Sequence, residues 1–293
     1  MTVREALDGA ARQLDQAGLA NGRGEAEMLL GRLLDTPRAG LYLRGDEEFD
    51  TGLARTLGLW LLRRAGGEPV QYIVGEAAYR DLVLEVGPGV FIPRPETELL
   101  VDETLRFLEG VEGARVLECC TGSGAIGLAL ASERADLTVV MTELSPRAIV
   151  FAARNRARLA PPAAARAHLV LGDLASALRG PFDALIANPP YVAEAERALL
   201  PRDVLDHEPG LALFAPEDGL AAILRLVDDG ARVVRPGGLV ALELGEEQGD
   251  TVRARFLAHP AYEDARIVLD LAGRARMALA RRRFSPDVQG RAR

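Results

Sequence analysis

The stretch VLECCTGSGAIGLAL, residues 116–130, decides the fold class. Val116 to Cys119 read as the end of an apolar strand, Gly122 and Gly124 permit a tight turn with close backbone approach, and an apolar run follows. The start of the helix predicted there offers backbone N–H groups with no partner inside the helix. A short Gly loop of this kind also serves as an ordinary turn, so the surrounding chain has to decide. From about residue 97 onward the chain alternates. Strands are expected at 114–119, 137–143, 167–172, 182–187, 238–244, 264–270 and 276–281, with helices around 97–109, 124–133, 146–159, 218–232 and 246–258. Repeated alternation of this kind specifies a parallel sheet with helices on both faces. Only the short break AGRA separates the last two strands. No crossover helix fits there, so these two are expected to pair antiparallel.

Upstream the pattern is helical. Val3, Leu7, Ala10, Leu14 and Ala17 share one helical face; residues 25–34 make a second helix, closed by Pro37. Leu53, Leu57, Trp60, Leu61 and Arg64 make a third, with Asp50 or Thr51 as N-cap and Gly66-Gly67 as its stop. Residues 77–95 then alternate about Gly87-Pro88-Gly89, which reads as a hairpin connecting two domains. The stretch LAPPAAARA, 159–167, reads as a loop.

Three successive strand ends carry polar chemistry. The first is the Gly loop. The second ends in Glu143, placed where an acid binds ribose hydroxyls in doubly wound folds. The third ends in Asp173, which can accept from an adenine amino group with Leu174 against the ring. Each acid is also a plausible helix N-cap. The spacing of Gly122, Gly124 and Gly127 matches the dinucleotide fingerprint, so the loop alone does not separate a dinucleotide from S-adenosylmethionine.

The fourth strand end does. IANPPYV, 186–192, stops an apolar strand with Asn188, two rigid prolines and Tyr191. A hydride-transfer enzyme has no evident use for it. The Asn188 side-chain oxygen and the Pro189 backbone oxygen can accept both hydrogens of a planar –NH₂ group. Pro190 stiffens the turn, and Tyr191 can stack on the flat group. The chemistry that fits is methyl transfer from S-adenosylmethionine to that nitrogen, by positioning and local electrostatics. An adenine amino group would fit the same acceptors.

Composition removes other classes. All 35 basic residues are arginine, so a P-loop lysine, the protein-kinase lysine and a pyridoxal Schiff base are excluded. The two cysteines, Cys119 and Cys120, are adjacent, which rules out a disulfide framework; His168, His207 and His259 show no metal spacing. A net charge of −8 argues against tight nucleic-acid binding. Arg274, Arg276, Arg281, Arg282, Arg283, Arg291 and Arg293 form the one basic cluster, which reads either as a final strand and a solvated tail or as a weak contact with RNA or a ribosome. No apolar run is long enough for a membrane helix, and the N-terminal stretch is not a signal peptide, so a cytoplasmic protein is expected.

GEPVQYIVG (67–75), FIPRPETELLV (91–101), CTGSGAIGLAL (120–130), NPPYV (188–192), HEPGLALFAPEDGL (207–220) and GRARM (273–277) together resemble the bacterial release-factor glutamine methyltransferases. The resemblance implies a Rossmann-like class I methyltransferase domain over 96–286, with a seven-stranded sheet whose last strand is antiparallel. It also implies a small N-terminal helical domain over 1–75 that contacts the protein substrate, a β-hairpin connector over 76–95 and a flexible tail over 287–293. The implied reaction methylates the side-chain amide nitrogen of the glutamine in the Gly-Gly-Gln motif of class 1 peptide release factors. Glutamine methylation of a ribosomal protein and N6-adenine methylation are the alternatives. A monomer without stable nucleic-acid binding is expected. By analogy S-adenosylmethionine contacts fall on Glu118, Cys120, Thr121, Gly122, Ser123, Gly124, Glu143, Asp173, Leu174 and Asn188, and Asn188, Pro189, Pro190 and Tyr191 hold the substrate amide. The chain departs from the usual pattern with Cys120 in place of Gly and with Glu at 118 and 143 in place of Asp. A Cβ at 120 is expected to keep that backbone out of positive φ.

Overall fold

The computed structural model describes residues 1–216 and 218–284. The expected tail at 287–293, with Arg291 and Arg293, lies outside the described residues. Two compact units emerge. One comprises Met1–Glu76, Val86–Pro88 and Leu200–Glu208; the other comprises Ala77–Glu85, Gly89–Leu199 and Pro209 onward.

The first unit is helical. Its main helices are Val3–Gln16, Gly22–Leu33 and Thr51–Ala65, and two short ones, Arg38–Leu43 and Val70–Val74, escaped the periodicity analysis because each is under two turns. Thr2 and Glu5 form a reciprocal capping box. Asp50 is the N-cap, accepting from Gly52 N and Leu53 N at 2.7 and 3.0 Å. Val3, Leu7, Leu14, Leu29, Leu30, Leu57 and Leu61 form its core. Arg64, on the same face as Leu57 and Leu61, is buried and holds Glu25 with two hydrogen bonds of 2.6 and 3.0 Å. Such a pair satisfies a buried charge without adding much net stability.

Nine strands occur among the described residues: β1 Glu76–Tyr79, β2 Leu82–Glu85, β3 Arg115–Cys119, β4 Thr138–Glu143, β5 Ala167–Leu171, β6 Phe182–Ala187, β7 Val234–Glu243, β8 Tyr262–Leu269 and β9 Ala275–Arg282. Strands β3 to β9 form one sheet in the order β5-β4-β3-β6-β7-β9-β8. The first five of these are parallel, and β9 runs antiparallel to both β7 and β8. That is the expected seven-stranded class I architecture. Registers Cys119 to Thr142, Cys119 to Ala187, Glu143 to Leu171 and Ala187 to Leu242 bring five C-terminal strand tips level at one edge. Ligands of open α/β sheets bind at such an edge.

Some elements differ from the sequence reading. The hairpin turns at Arg80-Asp81, with Arg80 at φ +51°, ahead of the Gly87-Pro88-Gly89 stretch. Arg80 is held there by Glu98, Asp102 and Glu133, so a side-chain network replaces the glycine a turn search looks for. Residues Pro161–Arg166 are helical, because prolines are tolerated in a first helical turn. Strand β7 starts at Val234, four residues early; Pro236 and Gly237 sit in a register shift opposite Phe182 to Ala184.

Candidate active site

The Gly loop leaves β3 and enters the helix Ala125–Glu133. Glu118, fully buried, binds the loop from beneath. Its Oε2 accepts from Thr121 Oγ1 at 2.6 Å and from Gly127 N at 3.0 Å. A Cβ on Gly127 would lie 2.4 Å from that oxygen, which explains the third glycine of the fingerprint. Burial pushes the Glu118 carboxyl up to about 8, against the pull of those two hydrogen bonds. Its Oε1 is buried with no hydrogen-bond partner among the described residues. Glu143, at the tip of β4, receives Gly122 N on Oε2 and Ser145 N on Oε1, both at 2.8 Å. Thr121 N reaches across to Thr142 O at 3.0 Å. Buried Asn155 ties the loop to the hairpin: its Nδ2 donates to Ser123 O at 2.9 Å and Glu85 O at 3.0 Å, and its Oδ1 accepts from Glu85 N.

Cys120 corrects one expectation. Its φ is +59°, in the left-handed region. The loop demands that conformation whichever residue occupies it, so the Cβ costs about 1–2 kcal/mol instead of changing the backbone. Burial holds the Cys120 thiol well above its usual range, which makes it a packing residue and not a nucleophile. Beyond β5, Leu174 is likewise left-handed at φ +48° and almost fully buried. Asp173 is half exposed and pairs with Arg225 at 2.7 Å.

At the tip of β6, Asn188 Nδ2 donates to Thr97 Oγ1 at 3.1 Å. Thr97 Oγ1 donates to Glu243 Oε2 at 2.7 Å, and Tyr191 OH reaches Glu243 Oε1 at 3.5 Å. Thr97 and Glu243 are both buried. Burial raises the Glu243 carboxyl to about 7 and the Tyr191 phenol to about 12. Sequence reasoning missed both Thr97 and Glu243, although Thr97 sits inside the quoted FIPRPETELLV stretch and Glu243 ends an apolar strand, as Glu143 does. The backbone after Asn188-Pro189-Pro190 is fixed from outside. Gln248 Nε2 donates to Tyr191 O at 2.9 Å, and Val192 exchanges backbone bonds with Leu213 and Ala215. Gly219, at φ +82°, packs so close that a Cβ would lie 2.0 Å from Tyr191 O. The HEPGLALFAPEDGL stretch thus includes the seat of the β6 turn.

The predicted residues therefore gather along one sheet edge, on the tips of β3, β4 and β6 and just beyond β5. Asp173 is the one turned toward a surface ion pair. The terminal arginines are structural where described: Arg274 and Arg276 bind Asp270, Arg282 and Arg283 cap backbone carbonyls, and Arg281 lies over Phe107.

Two family models match the chain, the PrmC N-terminal domain over residues 5–75 and the methyltransferase small domain over residues 93–204. A release factor glutamine methyltransferase of Moorella thermoacetica is 42% identical over 284 residues, spanning 97% of this chain and 99% of the relative. One of Deinococcus radiodurans is 36% identical over 282 residues, spanning 96% and 99%. Among solved structures, the hMettl16 catalytic domain in complex with a MAT2A 3'UTR hairpin superposes with a TM-score of 0.56 at 14% identity, covering 81% of this chain and 84% of that one, a likeness of fold alone.

Proposed function

The chain belongs to the release factor glutamine methyltransferase family, and from that premise we propose that it methylates the side-chain amide nitrogen of a release-factor glutamine, the one in the Gly-Gly-Gln motif. The observation that carries this reading is the state of Asn188. One of its two N–H groups donates to Thr97, which turns its Oδ1 the other way, to accept from an incoming –NH₂ group. Pro189 supplies a second, backbone acceptor. An amide nitrogen is a weak nucleophile because its lone pair is conjugated. Two oxygens gripping its hydrogens raise electron density on nitrogen, favour pyramidal geometry and stabilise the positive charge that develops there. Tyr191, partly buried against the core, flanks the flat group and selects for its shape. No side chain has to remove a proton before transfer; the methylated nitrogen gives up one of its two hydrogens as a proton afterwards, which restores the neutral amide.

S-adenosylmethionine is the methyl donor of this reading, and the residues present suit it. Glu143 lies where ribose hydroxyls are bound, and a Cβ on Gly122 would meet nothing within 4 Å, so backbone is open to a ligand there. Glu118 Oε1 is a buried polar atom that a ligand group such as an ammonium or hydroxyl would satisfy. Thr121, Ser123, Gly124 and Cys120 complete the loop side, and Leu174 with Asp173 the adenine side. The bound cofactor supplies a sulfonium methyl as electrophile.

The N-terminal helical domain, residues 1–75, is assigned to holding the release-factor protein; its helix Thr51–Ala65 exposes Leu59 and Leu62 to solvent. No helix among the described residues is long and apolar enough to cross a membrane, and a cytoplasmic site of action follows from the substrate. The test is a transfer assay with labelled S-adenosylmethionine and a cognate release factor. A gain of one methylene in mass on the Gly-Gly-Gln glutamine is expected. Labelling of a ribosomal protein instead would move the acceptor, and failure to bind the cofactor would overturn the reading.

A further inference from the structure

We propose that Glu243 is a positioning residue: acting through the Thr97 hydroxyl, it fixes which end of the Asn188 amide faces the acceptor nitrogen. The inference rests on the methyl-transfer reading of this edge and adds two residues to it. The argument is one of hydrogen-bond polarity. A threonine hydroxyl has a single hydrogen. Its partner there is Glu243 Oε2 at 2.7 Å, which in the ionised carboxylate can only accept. With its hydrogen committed there, Thr97 Oγ1 can only accept from Asn188. The side chain of Asn188 must therefore turn its Nδ2 toward Thr97, at 3.1 Å, and its Oδ1 the other way. Without that constraint the two amide orientations are nearly isosteric. The wrong one sets an NH₂ group against the NH₂ group of the acceptor, where neither can accept.

The device is sensitive to the charge on Glu243. Protonated, the carboxyl can donate to Thr97, the hydroxyl hydrogen is released toward Asn188, and the reversed amide is tolerated. The groups facing Glu243 come from several elements. Arg276 on β9 favours its ionised form, as do the hydrogen bonds from Thr97 and Tyr191; Glu96 and burial oppose it. Tyr79 on β1 also feels its charge, and its own phenol is pushed up by burial first. With the carboxyl held near 7, transfer should be full above that pH and decline as pH falls through it.

The experiment compares Thr97→Val, Thr97→Ser and Glu243→Gln with the unsubstituted enzyme. Valine has the shape of threonine without the hydroxyl, so Thr97→Val should lose about 10–100-fold in kcat, in the range of one misplaced transition-state contact, with cofactor Kd unchanged. Thr97→Ser should restore most of it. Glu243→Gln should flatten the acidic limb of the kcat–pH profile between pH values of about 6 and 8, since its side chain does not titrate. Wild-type kcat in Thr97→Val, or an acidic limb that survives in Glu243→Gln, overturns the proposal. A second readout needs no turnover: carbon-13 carboxyl shifts should place the Glu243 titration near neutral pH and move it higher in Thr97→Val. If no acceptor is methylated by the unsubstituted enzyme, the methyl-transfer reading fails. A Glu243 titration that Thr97→Val leaves unmoved counts against the relay separately.

Discussion

The two ends of the site are built differently. At the tip of β3, an acid grips the backbone of its own neighbourhood: Glu118 and the Gly127 amide it binds are 9 residues apart. At the tip of β6, Asn188 is set by partners far away in sequence, 91 residues to Thr97 and from there 146 to Glu243. The first end is a loop shape that needs particular backbone conformations. The second is a polarity, passed from carboxylate to hydroxyl to amide, that needs particular side chains. The contrast predicts that substitutions at β6 act on rate, whereas those at β3 and β4 act on stability and cofactor affinity.

The largest effect expected is at β6. Asn188→Ala removes one of the two oxygens proposed to grip the substrate amide and should lower kcat by about a thousandfold, the scale of deleting a preorganised transition-state contact. Cofactor Kd should stay within a few-fold. Comparable losses in both would erase the division between the two ends. At β3 the next effect concerns pH. The buried Glu118 carboxyl is raised to about 8 from a reference value of 4.5. Between those values the native state holds a proton that the unfolded chain has released. Stability of the cofactor-free enzyme should therefore fall as pH rises through that window and level off above it. Chemical denaturation at pH values from about 5 to 9 should show that decline, and Glu118→Gln should make it shallower by up to about 1.4 kcal/mol per pH unit. An unchanged slope in Glu118→Gln would mean that Glu118 is ionised when buried.

The same contrast explains what could be read from the sequence. The alternating parallel sheet, its antiparallel ending and the β3 loop were legible because they rest on local periodicity and on glycines at fixed spacing. The place of Asn188, Pro189, Pro190 and Tyr191 just past a strand tip was legible because consecutive prolines end a strand. Thr97 and Glu243 were not, since a single threonine in a turn and a glutamate at a strand end look ordinary until the fold joins them. Arg80 was hidden for a related reason: three carboxylates from elsewhere hold a left-handed turn that sequence reasoning reserves for glycine or asparagine. Asp173 was legible by its place at a strand end, whereas the pairing of its Oδ2 with Arg225 was not.

A smaller effect tests the β4 acid. Glu143 accepts two backbone N–H bonds and is the acid proposed to bind the ribose. Glu143→Ala should weaken S-adenosylmethionine binding by about tenfold, the worth of one charge-assisted hydrogen bond net of competing water. At saturating cofactor kcat should change little. A Kd identical to that of the unsubstituted enzyme, measured by calorimetry, would remove Glu143 from the cofactor side.

The smallest effect isolates backbone from side chain at the loop itself. Cys120 holds φ at +59°, where a Cβ is strained. Cys120→Ala keeps the Cβ and hence the strain, while Cys120→Gly releases it. Both lose the sulfur and its packing against the core, so their difference cancels that loss. Glycine also gives the unfolded chain more freedom, worth about 0.4–1 kcal/mol against folding, whereas relief of the left-handed penalty is worth about 1–2 kcal/mol in its favour. Cys120→Gly should therefore be more stable than Cys120→Ala by roughly 0.5–1 kcal/mol in urea unfolding. If Cys120→Ala is the more stable of the two, the loop has relaxed out of the left-handed region. The account of β3 as an end governed by backbone shape would then lose its clearest support.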